Sequence, residues 1–155
     1  MKANLEKTTV KDISYLINTT CLRASAAASL EKLAEMLCTS DRYKVYLEDE
    51  EGALCGVLQA KQIAMKVLEL SRQKSDEAEM LPAIAYVLNF HTGGEFAERP
   101  IKVLPGTLLK EVLVLMDQNH IREIAVVDGD DRLVGTLEAK NILAHYLHAK
   151  AETSL

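Results

Sequence analysis

Little in this chain could form a covalent or metal-bound framework. It holds three cysteines, Cys21, Cys38 and Cys55, an odd number with no C-x-x-C spacing. That argues against a disulfide frame or a thiolate metal site and leaves small buried or half-buried thiols in a reducing cytoplasm. No apolar run approaches the ~20 residues that a bilayer-spanning helix needs, so membrane insertion is not expected. The start, Met1-Lys2-Ala3-Asn4-Leu5-Glu6-Lys7, lacks the apolar core of a signal peptide. No dense basic run occurs, and the formal net charge is -5. A nucleic acid duplex is therefore not an expected partner, because its phosphates call for a basic face. No spacing assembles a nucleophile, a base and an oxyanion donor, so no catalytic residue and no enzyme is expected.

Metal ligation is equally thin. His145 and His148 lie three apart on a helix without further ligands placed by spacing, and read as a surface helix face. Asp128-Gly129-Asp130-Asp131 and Glu48–Glu51 lack the twelve-residue spacing of a calcium loop and read as hydrated turn tips. Gly93-Gly94 lacks the helix-entry context of a phosphate-binding loop.

What the chain does have is a repeat. Leu30–Ile63, shifted by seventy-nine positions, falls without a gap on Leu109–Ile142. Identities include Asp49/Asp128, Leu54/Leu133, Gly56/Gly135, Leu58/Leu137, Ala60/Ala139, Lys61/Lys140 and Ile63/Ile142. Two copies are too few for a solenoid, so the expectation is a pseudo-symmetric pair with any binding site near the seam. The 155 residues are 48% hydrophobic and 26% charged, ordinary for one soluble domain.

Each copy predicts the same elements. Leu30, Leu33, Ala34 and Leu37 form a helical stripe, with Ser29 as its N-cap. Tyr43–Leu47 alternates as a strand, 48–52 turns, Ala53–Leu58 returns, and a helix runs from Ala60 to about Arg72. In the second copy Ile101–Val103 is a short strand and Leu108–Gln118 a helix. Ile124–Val127 is a strand buried on both faces, Arg132–Leu137 returns, and Ala139–Lys150 is the closing helix. Between the copies, 73–77 is a polar connection and Met80–Phe90 a helix. His91-Thr92-Gly93-Gly94 and Glu98-Arg99-Pro100 are loop.

This order, with L-x-G-x-L-x-A-K-x-I in each half and an aspartate-bearing turn, resembles the CBS domain and its tandem pair, the Bateman module. The second half carries the closer match, through Pro105-Gly106-Thr107-Leu108-Leu109 and Ile121–Asp128. The resemblance implies an α/β (α+β) fold, a pseudo-two-fold pair of strand–helix–strand–strand–helix units. A single module would span residues 1–155, with motifs at 8–72 and 79–150. It further implies a non-catalytic regulatory module with two grooves between the halves. These would bind an adenosine-containing ligand: AMP, ADP, ATP or S-adenosylmethionine. No resident cofactor is required.

At the positions where the family places a phosphate- or ribose-binding hydroxyl and then an Asp, this chain has Gln59 and Gln62, and Glu138 and Asn141. The amide oxygens of Gln62 and Asn141 can accept from a ribose without the charge assistance of a carboxylate. In the second half Lys102, His120 and Arg122 are candidates for a phosphate, with Ile101 and Ala125 flanking a purine. Arg23, Lys44 and Tyr46 hold comparable places in the first half, beside Arg42 and Asp41. Each cation reads equally as a solvated surface charge. Any nucleotide is expected to favour the second half. A homodimer is expected through surplus apolar positions, Leu33, Met36, Leu37, Val112, Leu115 and Met116. The signal would pass to a regulated enzyme or transporter on a separate chain. The alternative is a ligand-free dimerisation or interaction scaffold.

Overall fold

A computed structural model describes residues 4–73 and 76–153. Lys74 and Ser75 of the expected connection, and Met1-Lys2-Ala3, lie outside the described residues. The elements are β1 (Arg23–Ser25), α1 (Leu30–Cys38), β2 (Lys44–Glu48), β3 (Leu54–Gln59), α2 (Ala60–Gln73), α3 (Glu77–Phe90) and α4 (Gly93–Phe96). They continue with β4 (Lys102–Val103), α5 (Leu109–Asn119), β5 (Glu123–Val127), β6 (Leu133–Glu138) and α6 (Ala139–Thr153). A 3-10 turn at Lys11–Leu16 precedes β1.

The repeat is structural as well as sequential. Each copy makes a three-stranded sheet, β1-β2-β3 and β4-β5-β6, with the first pair parallel and the second antiparallel. The register carries over at the same shift: Arg23 pairs with Tyr46 and Lys102 with Ala125, Val45 with Leu58 and Ile124 with Leu137. Even the bulge recurs, at Leu47/Glu48 and Val126/Val127. The repeated aspartate explains the turn that follows. Asp49 Oδ1 accepts from the Glu51 and Ala53 amides at 2.9 and 3.0 Å, and Asp128 Oδ1 from those of Asp130 and Arg132 at 2.8 and 3.0 Å. Such side-chain-to-backbone bonds close a turn, and its left-handed position is Gly52 (φ 84) in one copy and Asp131 (φ 63) in the other.

Packing does not follow the order of the motifs. Contacts divide the chain into a unit of residues 21–100 and a unit that joins 4–20 to 101–153. The core of the first is Leu30, Leu33, Leu37, Val45, Leu47 and Leu58, all at most 5% exposed. The core of the second includes Val103, Leu109, Val112, Ile124, Val126 and Leu137, and Val10 and Ile13 join it from the start of the chain. Ser29 caps α1 as expected, its hydroxyl accepting from the Lys32 amide at 3.2 Å. All five residues of β5 are buried.

Several expectations change. His91–Gly94 is not simply loop: Gly93–Phe96 forms a short helix. His145 is not on a surface face but 1% exposed, with its Nδ1 3.2 Å from the Tyr15 hydroxyl. The 3-10 turn that carries Tyr15 has no counterpart in the hydrophobic periodicity. Cys38 and Cys55 are exposed and only Cys21 is half-buried. The proposed dimer stripe is also core: Leu33, Leu37, Val112 and Met116 are buried, and Met36 and Leu115 half-buried, because α1 and α5 lie on their own sheets. Exposed apolar side chains include Leu143 and Leu147 on α6, Val114 on α5, Leu81, Tyr86 and Phe90 on α3, and Met65 and Leu68 on α2.

Candidate functional site

Side chains alternate between the faces of a strand, so Val45, Leu47 and Leu58 pointing into the core place Lys44, Tyr46, Val57 and Gln59 on the other face. The register then assembles the candidates of the first half: Arg23 stands beside Tyr46, and Lys44 beside Gln59. The Lys44 ammonium lies 5.7 Å from the Tyr43 ring centre and 5.9 Å from that of Tyr46, within cation–π range. In the second unit the same face carries Lys102 beside Ala125, and Glu123 beside Glu138. Glu123 and the buried Thr136, which pairs with Ala125, escaped the sequence reading; the seventy-nine-residue shift from Lys44 and Val57 was the signal that could have found them.

The two faces therefore differ in charge. At these positions one presents Arg23 and Lys44, with Glu48 further along by the turn, and the other presents Lys102 against Glu123 and Glu138. Lys102 is moreover held by both oxygens of Asp131 at 2.6 Å. Asp131 occupies the position that is Gly52 in the first copy. Glu138 pairs with Lys140 at 3.4 Å.

Gln62 and Asn141 have the same job in the two copies. Gln62 Oε1 accepts from the Gln59 amide at 2.7 Å, and Asn141 Oδ1 from the Glu138 amide at 2.8 Å. Each thereby satisfies an orphan donor at a helix start, as the third residue of a capping box does. Gln62 Nε2 also donates to the Phe96 carbonyl at 3.2 Å. Next to this cap lies an open cleft of about 520 Å³, lined by Gln59, Lys61, Gln62, Met65, Lys66, Glu69, Phe96 and Glu98. Lys66 sits 5.8 Å from the centre of the Phe96 ring and 3.5 Å from Glu69. Phe96 and Glu98 were not foreseen, because they follow a segment read as loop.

The remaining candidates are more scattered. Ile101 is half-buried, and its carbonyl accepts from the Ala125 amide at 3.3 Å. His120 ends α5 in the left-handed region (φ 52) and is exposed. Arg122 is exposed, and its carbonyl accepts from Ala139 at the start of α6. Among the described residues no group of three or more His, Cys, Asp or Glu could hold a metal ion, and no helix is long and apolar enough to cross a membrane. Cys55 shares a face with Gln59, but partial burial and the nearby Asp49 carboxylate push its thiol up from the ordinary range. It is thus disfavoured as a thiolate nucleophile. Elsewhere, the His91 ring, 2.7 Å from Glu95, draws that carboxylate's pKa down.

Residues 94–148 match the family model described as the CBS domain. The chain contains a CBS domain. No curated protein matches it. Solved CBS proteins share its fold at low identity. The CBS-pair protein CBSX2 from Arabidopsis thaliana has a TM-score of 0.68 and 20% identity, over 92% of this chain and 96% of that one. The CBS domain pair of protein MJ0100, in complex with 5-methylthioadenosine and S-adenosyl-L-methionine, has a TM-score of 0.61 and 22% identity, over 92% and 98%. The cytosolic domain of the Mg2+ channel MgtE, in complex with ATP, has a TM-score of 0.61 and 20% identity, over 83% of this chain but 46% of that one. The chain thus shares its fold with CBS-pair proteins.

Proposed function

We propose that the protein is a non-catalytic regulatory module that binds an adenosine-containing ligand on the unit of residues 21–100 and signals to a partner protein. The observation that carries this reading is the cleft beside the Gln59–Gln62 cap. It combines an aromatic wall (Phe96), amide groups for a ribose and the Lys61 ammonium for a phosphate, with Lys66 by the Phe96 ring and paired to Glu69. Concave sites with an apolar wall and a few convergent polar groups are the usual form of a small-molecule site. The adenosine ligands of the CBS structures above support the class of ligand.

The charge distribution favours this unit over the other for any anion. Lys102, the leading phosphate candidate of the second half, is engaged by Asp131, and Glu123 and Glu138 lie on the same face. Binding is expected to be weak, because neither Gln62 nor Asn141 supplies a charged acceptor, a loss of roughly one to two decades in affinity. We further propose a homodimer, a cytoplasmic setting, and an enzyme or transporter on another chain as the regulated partner.

Calorimetry of the whole chain with adenosine, AMP, ATP and S-adenosylmethionine tests the reading. Saturable binding that weakens in Phe96→Ala, with Lys61→Ala costing AMP more than adenosine, is the expected result. No saturable heat with any of the four would leave the ligand-free scaffold as the better account.

A further inference from the structure

Each sheet is crossed by a segment that meets the first helix of its unit in the same way. The Leu109 amide donates to the Thr8 carbonyl at 2.9 Å, and the Leu30 amide to the His91 carbonyl at 3.0 Å. Thr8 therefore stands where His91 stands, and Leu5 where Leu88 stands. Leu88 belongs to the inner face of α3. With Ile84 and Val87 it meets Leu30, Ile63 and Val67 and leaves only about 10 Å³ open, so α3 covers the groove between α1 and α2. About 640 Å³ stays open beside Leu5, between α5 and α6.

The outer face of α3 is apolar as well. Ala78, Leu81, Pro82, Ala85, Tyr86 and Phe90 are exposed there, Tyr86 at 59% and Phe90 at 71%. They form the rows 78/82/86/90 and 81/85, spaced four apart and so neighbours on a helix surface. The Tyr86 and Phe90 rings stack with centres 4.9 Å apart, and Tyr86 meets His91 edge-on at 6.2 Å, which preorders the pair. A helix apolar on both faces has the pattern of a buried one. Charge around this face has one sign: from 75 to 98 the chain carries Asp76, Glu77, Glu79, Glu95 and Glu98 and no Lys or Arg. Glu95 is paired with His91, so the start of α3 is the acidic end. Asp76, Glu77 and Glu79 are exposed there, and Glu79, seven residues before Tyr86, lies on the same face. The helix macrodipole, roughly half a positive charge at that end, offsets only part of three carboxylates.

We propose that the outer face of α3 docks a basic amphipathic helix of a partner protein, its apolar stripe along the two rows and its Lys or Arg residues against Asp76, Glu77 and Glu79. Rows four apart leave between them the groove that a ridge of a second helix enters. The stacked Tyr86–Phe90 pair supplies the aromatic anchor that carries much of the energy of such contacts. A membrane is the wrong occupant, because anionic headgroups would be repelled by these carboxylates and no Lys or Arg between 75 and 98 would attract them. A second α3 is a poor occupant too, since it brings the same carboxylates and no cation of its own. The surface needs no ligand in the Phe96 cleft and serves a ligand-free scaffold equally.

The probe is a labelled model helix with Leu on one face and Lys on the other, titrated into the whole chain at about 0.15 M salt, where distant charges are screened. Fluorescence anisotropy reads the binding, beside a peptide with Glu in place of every Lys. Saturable binding of the Leu/Lys peptide alone is expected. Tyr86→Ser with Phe90→Ser should weaken it about thirtyfold, as loss of an anchor does. Glu77→Lys with Glu79→Lys should weaken it about tenfold. Glu50→Lys with Asp130→Lys, an equal change of net charge at the two turn tips, should leave it within about twofold. Thermal melting shows whether each variant keeps its fold, and Leu81→Ser replaces an aromatic variant that does not. No saturable binding up to about 1 mM, the weak end of specific recognition, would overturn the proposal. Equal losses from the α3 pair and the turn-tip pair would do the same. Binding to phosphatidylserine vesicles that is lost with Tyr86 and Phe90 would make the face a membrane surface, and self-association lost with them would make the occupant a second copy; either result overturns it.

Discussion

The two units repeat one backbone and diverge in what they do with it. Sheet order, register, bulge, turn aspartate and helix cap all recur at a shift of seventy-nine. The charges on the non-core face do not, nor does the cover over the outer helices. These recurring features close hydrogen bonds or cores and so are required for either unit to fold. Face charges and groove covers are spared that demand. That is where the copies can acquire different partners.

The crossing segments offer the largest test of the shared backbone. A Cβ at Gly135 would come within 2.5 Å of the Asn18 carbonyl oxygen, whereas one at Gly56 would meet the Ala97 methyl at 2.9 Å. A carbonyl fixed by its β-bridge yields less than a methyl group, and Asn18 is bridged to Thr136. Gly135→Ala is expected to cost about 3 kcal/mol and Gly56→Ala about 1 kcal/mol, within the range for overpacking. Urea unfolding with equal or reversed losses would show that the two crossings are not held as described.

The covered and open grooves give the next contrast. Val87→Ala removes a half-buried side chain packed on the core of its unit and should cost about 1–2 kcal/mol. Leu5→Ala, at the position equivalent to Leu88 but 36% exposed, should cost less than about 1 kcal/mol. Comparable losses in denaturant melts would mean that the open groove is already as well filled as the covered one.

Asp131→Gly converts one turn into the other. It frees Lys102, relieves a left-handed non-glycine residue and removes a partly exposed ion pair, so stability should change by no more than about 1 kcal/mol. AMP should gain a few-fold in affinity through the second unit, while adenosine should not. Calorimetry that finds adenosine and AMP equally affected would detach Lys102 from phosphate binding.

Glu95 gives the smallest effect. Its pKa is lowered first by the hydrogen bond from His91 and then by the Thr92 amide. A carboxylate depressed on folding contributes stability above its unfolded pKa and loses it as pH falls through the folded value. The contribution should accordingly fade only below the ordinary carboxylate range. Glu95→Gln should flatten the acid limb of stability slightly; an NMR titration placing Glu95 at an ordinary carboxylate value would remove the basis for that expectation.

The elements that repeat were legible because they obey local rules. Ser29 caps α1, Leu30, Leu33 and Leu37 form its buried stripe, and the apolar run Ile124–Val127 is buried throughout. The crossing segments were not legible, since they have neither helical nor strand period. Their signal was the short T-x-x-D/E pattern of Thr9/Asp12 and Thr92/Glu95, a capping arrangement rather than a hydrophobic one. The candidate site was half legible. Arg23, Lys44, Tyr46 and Gln59 do share a face, while Lys102, twenty-nine residues before Asp131, gave no hint of that partner.

The sequence by itself determined the repeat and the order of strands and long helices within each copy, because periodicity and turn chemistry act over a few neighbours. Only the tertiary structure decided that residues 4–20 complete the second unit, that His145 is buried under Tyr15, and that Lys102 is held by Asp131. Those outcomes depend on contacts between residues far apart in the chain. Such pairings are set by the packing of whole elements, and no local pattern encodes them.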